Sequence, residues 1–493
     1  MKHHHLRLLP LLLLPLAVGC GEESIEPFGP VPTAEQLAWQ RMEINMFCHF
    51  GPNTFSGAEW GTGREDAETF RPRALDCAQW VYVAQQAGMG GIILTAKHHD
   101  GFCLWPSAFS THTVADSLDV LRALRNAVDA HNNAGGTPAL QMGVYISPWD
   151  RNHPTYGTDS YNDVFVNTLQ EVHSKYGPMF EQWFDGACGE GPNGKQQRYD
   201  WPRFMQTMHE LNPGCVIFSD IGPGCRWVGN EEGRAGETCW STLCTEGATP
   251  SENKPLYKEL VTGHSLSALR SPLSTLSWVP AEADVSIRPG WFWHPQEHPK
   301  TVDELMEIYF NSVGRNGLLL LNVPPDTNGR ICPEDSAVLV AFRAERDRIF
   351  SKDLAQGAKI EALCEYGDGM KDKTDRRHPA SNLTDTAYHS YWTIRGKDTS
   401  HIILVVQLPE VQEVDMVMLQ EYIPLGQRVS KFSISYAEPD VNGGGIIAEG
   451  TTIGYKRIVR FPFPIRTNCL RIHIHALAPP ILNRIAIYNS KAQ

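Results

Sequence analysis

Two kinds of segment alternate along the chain from about residue 35 to residue 350. Short apolar runs that end in polar or glycine-rich turns are INMFCHF, GGIILTAKHHD, ALQMGVYISPWD, MFEQWFDGA, CVIFSD, STLSWVPAEADV and GLLLLNVPP. Segments of helical period lie between them, such as LDCAQWVYVAQQAG, SLDVLRALRNAVDAHNNAG and TVDELMEIYFNSVGRNG. This alternation predicts an α/β fold with a parallel sheet that is covered on both faces. We predict a (β/α)8-like TIM barrel in which the pattern leaves the sixth strand undefined.

The pattern changes after PEDSAVLVAFRAERDRIF, which predicts one more helix. From about residue 357 onward, runs such as HIILVVQLP, EVDMVMLQEY, KFSISYAEP and NCLRIHIHAL are broken by glycine, proline and aspartate. Alternation of this kind without helices predicts an all-β sandwich of jelly-roll type. The predicted domains are the barrel at residues 34–352 and the sandwich at residues 353–493.

The first twenty residues, MKHHHLRLLPLLLLPLAVGC, have a basic start, a short apolar stretch and small residues before Cys20. This layout predicts a secretory signal peptide at residues 1–20 and a polar linker at residues 21–33. It also resembles a bacterial lipoprotein cleavage site, where Cys20 would carry the lipid, and an ordinary signal peptide is the alternative. We expect an exported protein in the periplasm or at the cell surface of a Gram-negative-type bacterium, anchored in the outer membrane if Cys20 is lipidated.

Charge and motif content exclude several classes of partner. The 43 Lys+Arg residues against 56 Asp+Glu residues give a net charge of −13, and no basic run interrupts it, so nucleic acid is not an expected partner. No glycine-rich phosphate loop follows the first predicted strand, and no C-x-x-C pair indicates zinc. We therefore expect no cofactor.

Polar side chains follow several of the predicted strands. His49 ends the first strand, His98 and His99 end the second, and Tyr145 belongs to the third. Asp185 follows the fourth strand. A single aspartate at a strand end is often only the cap of the next helix. In a barrel, however, the carboxyl ends of all strands meet at one mouth, so this group predicts one active site.

Two kinds of chemistry fit these residues. Metal-dependent hydrolysis is an alternative because His49, His98, His99 and Asp185 could supply nitrogen and oxygen ligands. The adjacent histidines of KHHD would, however, point in opposite directions on a strand. Sugar chemistry fits better because aromatic faces pack against sugar rings, and the predicted mouth is rich in tryptophan. The candidate tryptophans are Trp60, Trp105, Trp149, Trp183, Trp227, Trp291 and Trp293.

Retaining glycoside hydrolysis needs two carboxyl groups about 5 Å apart, one as nucleophile and one as proton donor. Asp185 is the candidate nucleophile. The segment RWVGNEEGRAGE offers Glu231, Glu232 and Glu237 as candidate donors, although glutamates in a glycine-rich loop are equally typical of a solvated surface. The segment EADVSIRPGWFWH offers Glu282, Asp284 and Arg288 as further candidates.

Five motifs, CHFGPNTFSGAEW, ILTAKHHDGFCLWPS, GVYISPWDR, QWFDGACGEG and GLLLLNVPPDTNGRI, resemble the motif series of the α-L-fucosidases of glycoside hydrolase family 29. The resemblance covers roughly residues 34 to 350. It implies that Asp185, in the WFDG motif, is the nucleophile. It implies that fucose is bound by His49, Glu59, Trp60, His98, His99 and Tyr145, to which we add Arg288 and Trp291 from EADVSIRPGWFWH.

The GNE loop resembles the subgroup that cleaves α-1,3 and α-1,4 fucosyl linkages in branched, Lewis-type glycans. In that subgroup the glutamate after the asparagine is the acid/base, which implies Glu231 rather than Glu232. The expected activity is that of a retaining exo-α-L-fucosidase that uses no metal and acts on fucosylated oligosaccharides or glycoconjugates. We expect contact with a membrane only through the lipid anchor.

The predicted sandwich is similar to the discoidin-like and carbohydrate-binding modules that accompany this family, so it is a candidate carbohydrate-binding domain. Two alternatives to the fucosidase remain open from the sequence. One is a surface glycan-binding protein that has lost catalysis, although retention of both carboxyl groups weighs against it. The other is the metal-dependent barrel hydrolase.

Overall fold

Eight parallel strands close into a barrel in the computed structural model, which describes residues 25–252, 276–366, 369–396, 402–437 and 445–491. The strands of this part of the chain are β1 (Ile44–Cys48), β2 (Gly91–Lys97), β3 (Gln141–Ile146), β4 (Glu181–Trp183), β5 (Val216–Ser219), β6 (Cys225–Trp227), β7 (Thr242–Cys244), β8 (Leu276–Trp278), β9 (Ala281–Ser286) and β10 (Gly317–Asn322). The barrel runs β1 to β6, then β9 and β10, which pairs again with β1. The predicted TIM barrel is confirmed. The predicted signal peptide and Cys20 lie outside the described residues.

Helices lie between most of the strands. In the described residues they are α1 (Ala34–Gln40), α2 (Pro52–Ser56), α3 (Cys77–Ala87), α4 (Val120–Asn133), α5 (Ser160–Lys175), α6 (Trp201–Leu211), α7 (Val302–Asn311) and α8 (Pro333–Ile349). Short 3-10 helices span Ala67–Thr69, Asp116–Leu118, Ala380–Thr384 and Ile423–Leu425. Thr33 and Thr301 begin α1 and α7 with capping boxes, which satisfy backbone N–H groups that have no partner inside a helix. None of these helices is long and apolar enough to cross a membrane.

The structure of the sixth strand explains why the hydrophobic pattern of the sequence left this strand undefined. β6 has only three residues and follows β5 after a five-residue turn that contains no helix. This turn passes so close to β5 that a Cβ atom at Gly224 would lie 2.3 Å from the backbone nitrogen of Ile217. The segment STLSWVPAEADV, predicted as one strand, is two: β8 pairs with β7 in a separate hairpin, and β9 closes the barrel.

The second domain is all β, which confirms the prediction of a separate β domain. Its strands are β11 (Lys359–Tyr366), β12 (Gly369–Asp372), β13 (Trp392–Thr393), β14 (Ile402–Glu421), β15 (Val429–Ala437), β16 (Ile446–Gly450), β17 (Arg457–Ala476) and β18 (Ile481–Tyr488). All pairings between them are antiparallel. The long strand β14 pairs with both β17 and β18, so it belongs to two parts of the sheet.

The two domains share one hydrophobic core. Met416, Met418, Ile458 and Tyr488 of the sandwich belong to the same buried cluster as the strands and helices of the barrel. Directly before β1, the carboxylate of Glu43 accepts two hydrogen bonds from the sandwich. One comes from the hydroxyl of Tyr455 at 3.1 Å and the other from the ammonium of Lys456. The apolar contact removes surface from water, which is the dominant favourable term in domain association.

Candidate active site

A cavity of about 130 Å³ opens at the carboxyl ends of the barrel strands. Its lining residues are Phe47, His49, Trp60, His98, His99, Tyr145, Trp183, Asp185, Ala187, Glu231, Asp284 and Trp291. A second cavity of about 240 Å³ adjoins it and shares five of these residues, among them Asp185 and Glu231. Eight of the ten predicted catalytic and substrate-binding residues line the first cavity, and the remaining two are Glu59 and Arg288.

Asp185 is held at the end of β4 by groups of the barrel. Its Oδ1 accepts a hydrogen bond of 2.8 Å from the backbone N–H of Ala187. Its Oδ2 accepts one of 3.0 Å from the hydroxyl of Tyr145 and lies 3.5 Å from Nε2 of His99. Burial, the negative charge of Asp185 and the hydrogen bond that Tyr145 donates to it raise the pKa of Tyr145 well above its usual value, so the phenol stays protonated and keeps donating. The carboxylate is therefore fixed in orientation while it still faces the cavity.

Both histidines of KHHD line the cavity, which overturns the expectation that they point in opposite directions. β2 ends at Lys97, so the strand alternation no longer applies to His98 and His99, and their ring centroids lie 4.2 Å apart. Nδ1 of His99 bonds the hydroxyl of Ser147 at 2.8 Å. Nδ1 of His98 is buried and has no hydrogen-bond partner in the described residues.

The three cavity histidines are neutral at physiological pH. Burial lowers the pKa of His49 to about 3 and lowers the pKa of both His98 and His99. His49 is oriented by Asn322, whose Oδ1 lies 2.9 Å from Nδ1 of the ring and accepts the backbone N–H of the same histidine. Neutral imidazoles can both donate and accept hydrogen bonds, which suits the recognition of sugar hydroxyls.

Of the three candidate donors, the structure brings only Glu231 into the cavity. Its Oε2 accepts a hydrogen bond of 3.2 Å from Nε1 of Trp291. Partial burial, with the nearby charges of Asp185 and Glu59, raises its pKa above the usual value. The side chain of Glu232 is exposed, 3.8 Å from Arg234.

Glu237 lies at the domain boundary, where Oε1 is 2.5 Å from Nη2 of Arg315 and Oε2 accepts a bond of 2.9 Å from Arg457. The choice of Glu231 therefore agrees with the geometry.

Glu59 does not line either of the two cavities at the mouth, but it holds a residue that does. Its carboxylate accepts the backbone N–H of Trp291 at 2.7 Å and lies 2.6 Å from Nε2 of His294. Trp60, next in the chain, lines the cavity with 58% of its surface exposed and packs its edge against His99. An exposed aromatic face at a cavity rim is available to a sugar ring.

Arg288 was predicted to bind substrate, and its position contradicts that prediction. The guanidinium is buried, with two parallel hydrogen bonds of 2.9 and 2.8 Å to the carboxylate of Asp335. A further donor bonds the carbonyl of Glu297. These bonds join the loop after β9 to α8, so Arg288 is structural: its place in the sequence near the mouth was a correct signal, but its side chain turns away from the cavity.

Two acidic residues at the mouth carry perturbed pKa values. Asp284, on β9, was named only as a general candidate; it lines both cavities, and burial raises its pKa to about 8. Its Oδ1 accepts a bond of 2.8 Å from Nε1 of Trp227. Asp220 was missed, and burial raises its pKa to about 6. It directly follows β5, so the rule that strand ends line the mouth could have found it.

A second acidic pair lies inside the barrel, beneath the cavity. Glu181 accepts a hydrogen bond of 2.7 Å from Nε1 of Trp39, and Glu282 accepts one of 2.9 Å from Nε1 of Trp183. Burial raises the pKa of both carboxyls, and the charge of Glu181 raises the pKa of Glu282 further. With Cys225 they form the one group in the described residues whose side chains are spaced to hold a metal ion, so the cavity histidines do not form such a group.

The remaining tryptophans divide between the site and the core. Trp183 stacks on Phe218 with ring centroids 3.8 Å apart and forms the cavity floor. Trp149 packs against His99, whereas Trp105 is fully buried and bonds Glu171, and Trp293 bonds Cys332. The eleven described cysteines form no disulfide with one another.

Comparisons with known proteins identify the family of this chain. The sequence model of the alpha-L-fucosidase family matches residues 31–343. The chain is 37% identical over 473 residues to alpha-L-fucosidase 1 of Arabidopsis thaliana, covering 94% of this chain and 88% of that protein. The crystal structure of SpGH29 superposes with a TM-score of 0.83 at 34% identity, covering 94% of this chain and 100% of the other.

A Ruminococcus gnavus GH29 fucosidase in complex with fucose superposes with a TM-score of 0.79 at 28% identity, covering 95% and 97% of the two chains. Neither the inactive glycan-binding protein nor the metal-dependent hydrolase is favoured by these relatives. The family model spans most of the barrel, including every residue that lines the cavity. The chain belongs to the alpha-L-fucosidase family, glycoside hydrolase family 29.

Proposed function

We propose that the protein is a retaining exo-α-L-fucosidase with Asp185 as nucleophile and Glu231 as acid/base. The observation that carries this proposal is that the two carboxyl groups line one cavity in different electrostatic settings. Asp185 accepts hydrogen bonds from a hydroxyl and a backbone N–H, whereas partial burial raises the pKa of Glu231 and favours its protonated form. Double displacement requires two carboxyl groups at one site, one as nucleophile and one as proton donor.

In the first step, an oxygen of Asp185 attacks the anomeric carbon of fucose and the bond from that carbon to the glycosidic oxygen breaks. Glu231 donates its proton to the departing oxygen, so the leaving sugar departs as an alcohol. Tyr145 keeps its hydrogen bond to Oδ2 of Asp185 and orients the carboxylate for attack. The product of this step is a covalent fucosyl-enzyme.

In the second step, Glu231 is ionised and removes a proton from water, which attacks the same carbon. The bond to Asp185 breaks, fucose leaves with its original anomeric configuration, and both carboxyl groups return to their starting states. One group can serve as acid and then as base because the proton that it loses in the first step is regained in the second.

The cavity walls supply the recognition of the sugar. His49, His98 and His99 are neutral and can bond the hydroxyls of fucose, while Trp60 and Trp291 offer aromatic surface to the ring and its methyl group. The buried Nδ1 of His98, without a partner in the described chain, lacks a bond that a bound hydroxyl or water could supply. The small size of the cavity favours a single terminal sugar, hence exo action.

For the linkage, we propose α-1,3- and α-1,4-linked fucose on branched, Lewis-type glycans. The proposal rests on the resemblance of the GNE loop at Asn230 and Glu231, supported by the position of Glu231 in the cavity. The test is proton NMR of the enzyme mixed with Lewis a trisaccharide, with an α-1,2-fucosylated disaccharide as the comparison substrate. We expect α-fucose before its β anomer from the branched substrate and at least tenfold slower release from the disaccharide.

Each result has a separate meaning. If β-fucose came first, double displacement would be wrong while the fucosidase assignment survived. Equal rates on the two substrates would overturn the linkage proposal alone. Asp185→Asn, assayed in parallel, separates release by this site from release by a contaminating enzyme.

We also propose that the protein is exported and anchored through a lipid on Cys20. The layout of residues 1–20 supports this proposal. The test is fractionation of cells that express the full chain with a radiolabelled fatty acid. Label in the wild-type membrane fraction that Cys20→Ser abolishes supports the anchor; unlabelled protein in the soluble exported fraction would overturn it and leave the ordinary signal peptide.

A further inference from the structure

The residue proposed as acid/base lies on a long connection, residues 228–241, between β6 and β7; we name it the 228–241 loop. The carboxylate of Glu231 receives one hydrogen bond in the described residues, from Trp291. Each further donor would stabilise the carboxylate and lower its pKa, whereas a general acid must hold its proton until the transition state. The backbone of the loop, rather than hydrogen bonds to the carboxyl group, therefore has to fix the position of a general acid such as Glu231.

The first half of the loop is closed by its own residues and by the barrel. The side chain of Asn230 donates to the carbonyl of Arg234 at 2.8 Å and accepts the backbone N–H of Glu232 at 3.0 Å, which shapes the turn that carries Glu231. Gly233 has φ +68°, and a Cβ atom there would lie 2.8 Å from a methyl carbon of Val285. This turn therefore packs closely on the barrel at Gly233.

The second half of the loop is bonded to the sandwich. The carbonyl of Glu237 accepts hydrogen bonds of 3.0 Å from both Arg457 and Thr451, and its Oε2 accepts 2.9 Å from Arg457. Thr238 bonds Thr451 through their hydroxyls at 2.9 Å. The side chain of Arg457 is buried, whereas the side chain of Glu237 is 63% exposed, so only the Arg457 end of these bonds is shielded from water.

Two more backbone groups of the loop end on sandwich side chains. The N–H of Cys239 donates to Oγ1 of Thr452 at 3.0 Å, and the N–H of Ser241 donates to Oε1 of Gln427 at 2.8 Å. Both acceptors are buried. In the described residues, four loop positions, 237, 238, 239 and 241, are thus bonded to the second domain.

We infer that the C-terminal sandwich positions the acid/base loop, with Arg457 and Thr452 as positioning residues for Glu231. This inference rests on the proposed function because it takes Glu231 as the acid/base. Loss of an anchor lets the loop drift outward, and Glu231 then protonates the leaving oxygen less effectively. Asp185 is held by the barrel alone, so nucleophilic attack is preserved.

The test uses leaving groups of different acidity on the full-length protein. A dinitrophenyl fucoside leaves without help from an acid, whereas a fucosylated sugar needs its oxygen protonated. We expect Arg457→Met to lower kcat/KM for the fucosylated sugar by about tenfold, part of the ~10²–10⁴-fold that general acid catalysis supplies, and to change it less than about twofold for the dinitrophenyl fucoside. The basic limb of the pH profile should move to lower pH, because a Glu231 displaced further into solvent loses the partial burial that raises its pKa.

Arg460→Met is the matched control. Arg460 lies on the same strand and crosses the same domain boundary to Glu307, with Nη2 2.7 Å from Oε2, but it does not touch the loop. Both side chains of this ion pair, Arg460 and Glu307, are substantially exposed. We therefore expect Arg460→Met to have wild-type kinetics on both substrates. If the two arginine variants behave alike, or if Arg457→Met lowers kcat/KM equally for both substrates, the positioning role is refuted.

Two further variants keep the test decisive. Thr452→Val removes the acceptor of the Cys239 N–H without a change of side-chain shape, and it replaces Arg457→Met if the latter does not fold. Glu231→Gln defines the full effect of losing the acid. If Glu231→Gln shows no dependence on the leaving group, the proposed function fails; if it does and both anchor variants do not, only the inference fails.

Discussion

Asp185 and Glu231 face the same cavity but are held in contrasting ways. Asp185 accepts hydrogen bonds from Tyr145 and from the N–H of Ala187 and lies 3.5 Å from Nε2 of His99, and all three residues belong to the barrel. Glu231 is bonded once, and its loop is anchored on a different domain. The contrast follows from their proposed roles, because donors that fix a carboxylate also keep it ionised. Hydrogen bonds to an ionised carboxylate therefore suit a nucleophile, whereas they would make a proton donor lose its proton too easily.

The largest effect should come from removing the group that the barrel holds. We expect Asp185→Ala to lower kcat by about 10⁴-fold or more, because no covalent intermediate can form. The fold should persist, since about a quarter of this side chain is exposed and it faces a cavity rather than an apolar core. Thermal unfolding checks the fold, and azide, which can replace the missing nucleophile, should give a fucosyl azide of inverted configuration.

Removing the proton donor should cost less and should depend on the substrate. Glu231→Gln is expected to lower kcat/KM for a fucosylated sugar by about 10²–10⁴-fold and to abolish the basic limb of the pH profile. In the wild type this limb reflects loss of the Glu231 proton, so activity should fall as pH rises through its raised pKa. The control is Glu232→Gln, whose exposed side chain should change kcat/KM less than about twofold. The reverse result would exchange the roles of the two glutamates.

Tyr145→Phe sharpens the comparison by weakening the hold on Asp185 without removing it. A hydrogen bond to a charged group contributes about 1.5–3 kcal/mol, so kcat should fall about 10- to 100-fold on every fucoside regardless of its leaving group. Tyr176→Phe is a matched control, because its hydroxyl also bonds a carboxylate, Asp119 at 2.7 Å, outside the cavity. A loss confined to poor leaving groups would place Tyr145 with the acid rather than with the nucleophile.

The smallest effect on catalysis should come from the acidic pair inside the barrel. Glu181 and Glu282 have pKa values raised above the usual 4.5, so the stability that their protons provide is present below that pH and is lost as pH rises through the raised values. Glu181→Gln mimics the protonated form. Its free energy of unfolding should fall less steeply than that of the wild type above pH 5, by up to about 1.4 kcal/mol per pH unit.

Denaturant unfolding at pH 5, 6 and 7 measures this difference, with kcat expected to stay within about threefold of wild type. Parallel stability curves for the two proteins would show that Glu181 ionises normally in the folded state.

Most of the architecture could be predicted because the same local pattern, an apolar strand followed by a segment of helical period, recurs along the barrel. Strands with continuous apolar character and intervening helical periods specify the barrel, and strand ends specify its mouth. The pattern did not predict β6 because its three residues are too few to show a period and no helix precedes it. It merged β8 and β9 because only two residues separate the hairpin strand from the barrel strand.

The candidate site was predictable in its composition but not in its orientations. His98 and His99 converge because β2 stops one residue before them, and strand ends are not encoded in hydrophobic pattern alone. Arg288 turned out to be committed to Asp335, a partner 47 positions away that no local signal indicates. Asp284 lies four residues before it and turns into the cavity instead, because alternation places it on the inner face of β9.

The shared core of the two domains bears on how this chain can be altered. Because Met416, Met418, Ile458 and Tyr488 complete the apolar interior of the barrel, the two domains should melt together in a single calorimetric transition. Removal of the sandwich by cutting the chain near residue 352 would expose an apolar surface on the barrel domain, and such a surface promotes aggregation. An engineer who wished to exchange the sandwich for another module would have to redesign that interior first.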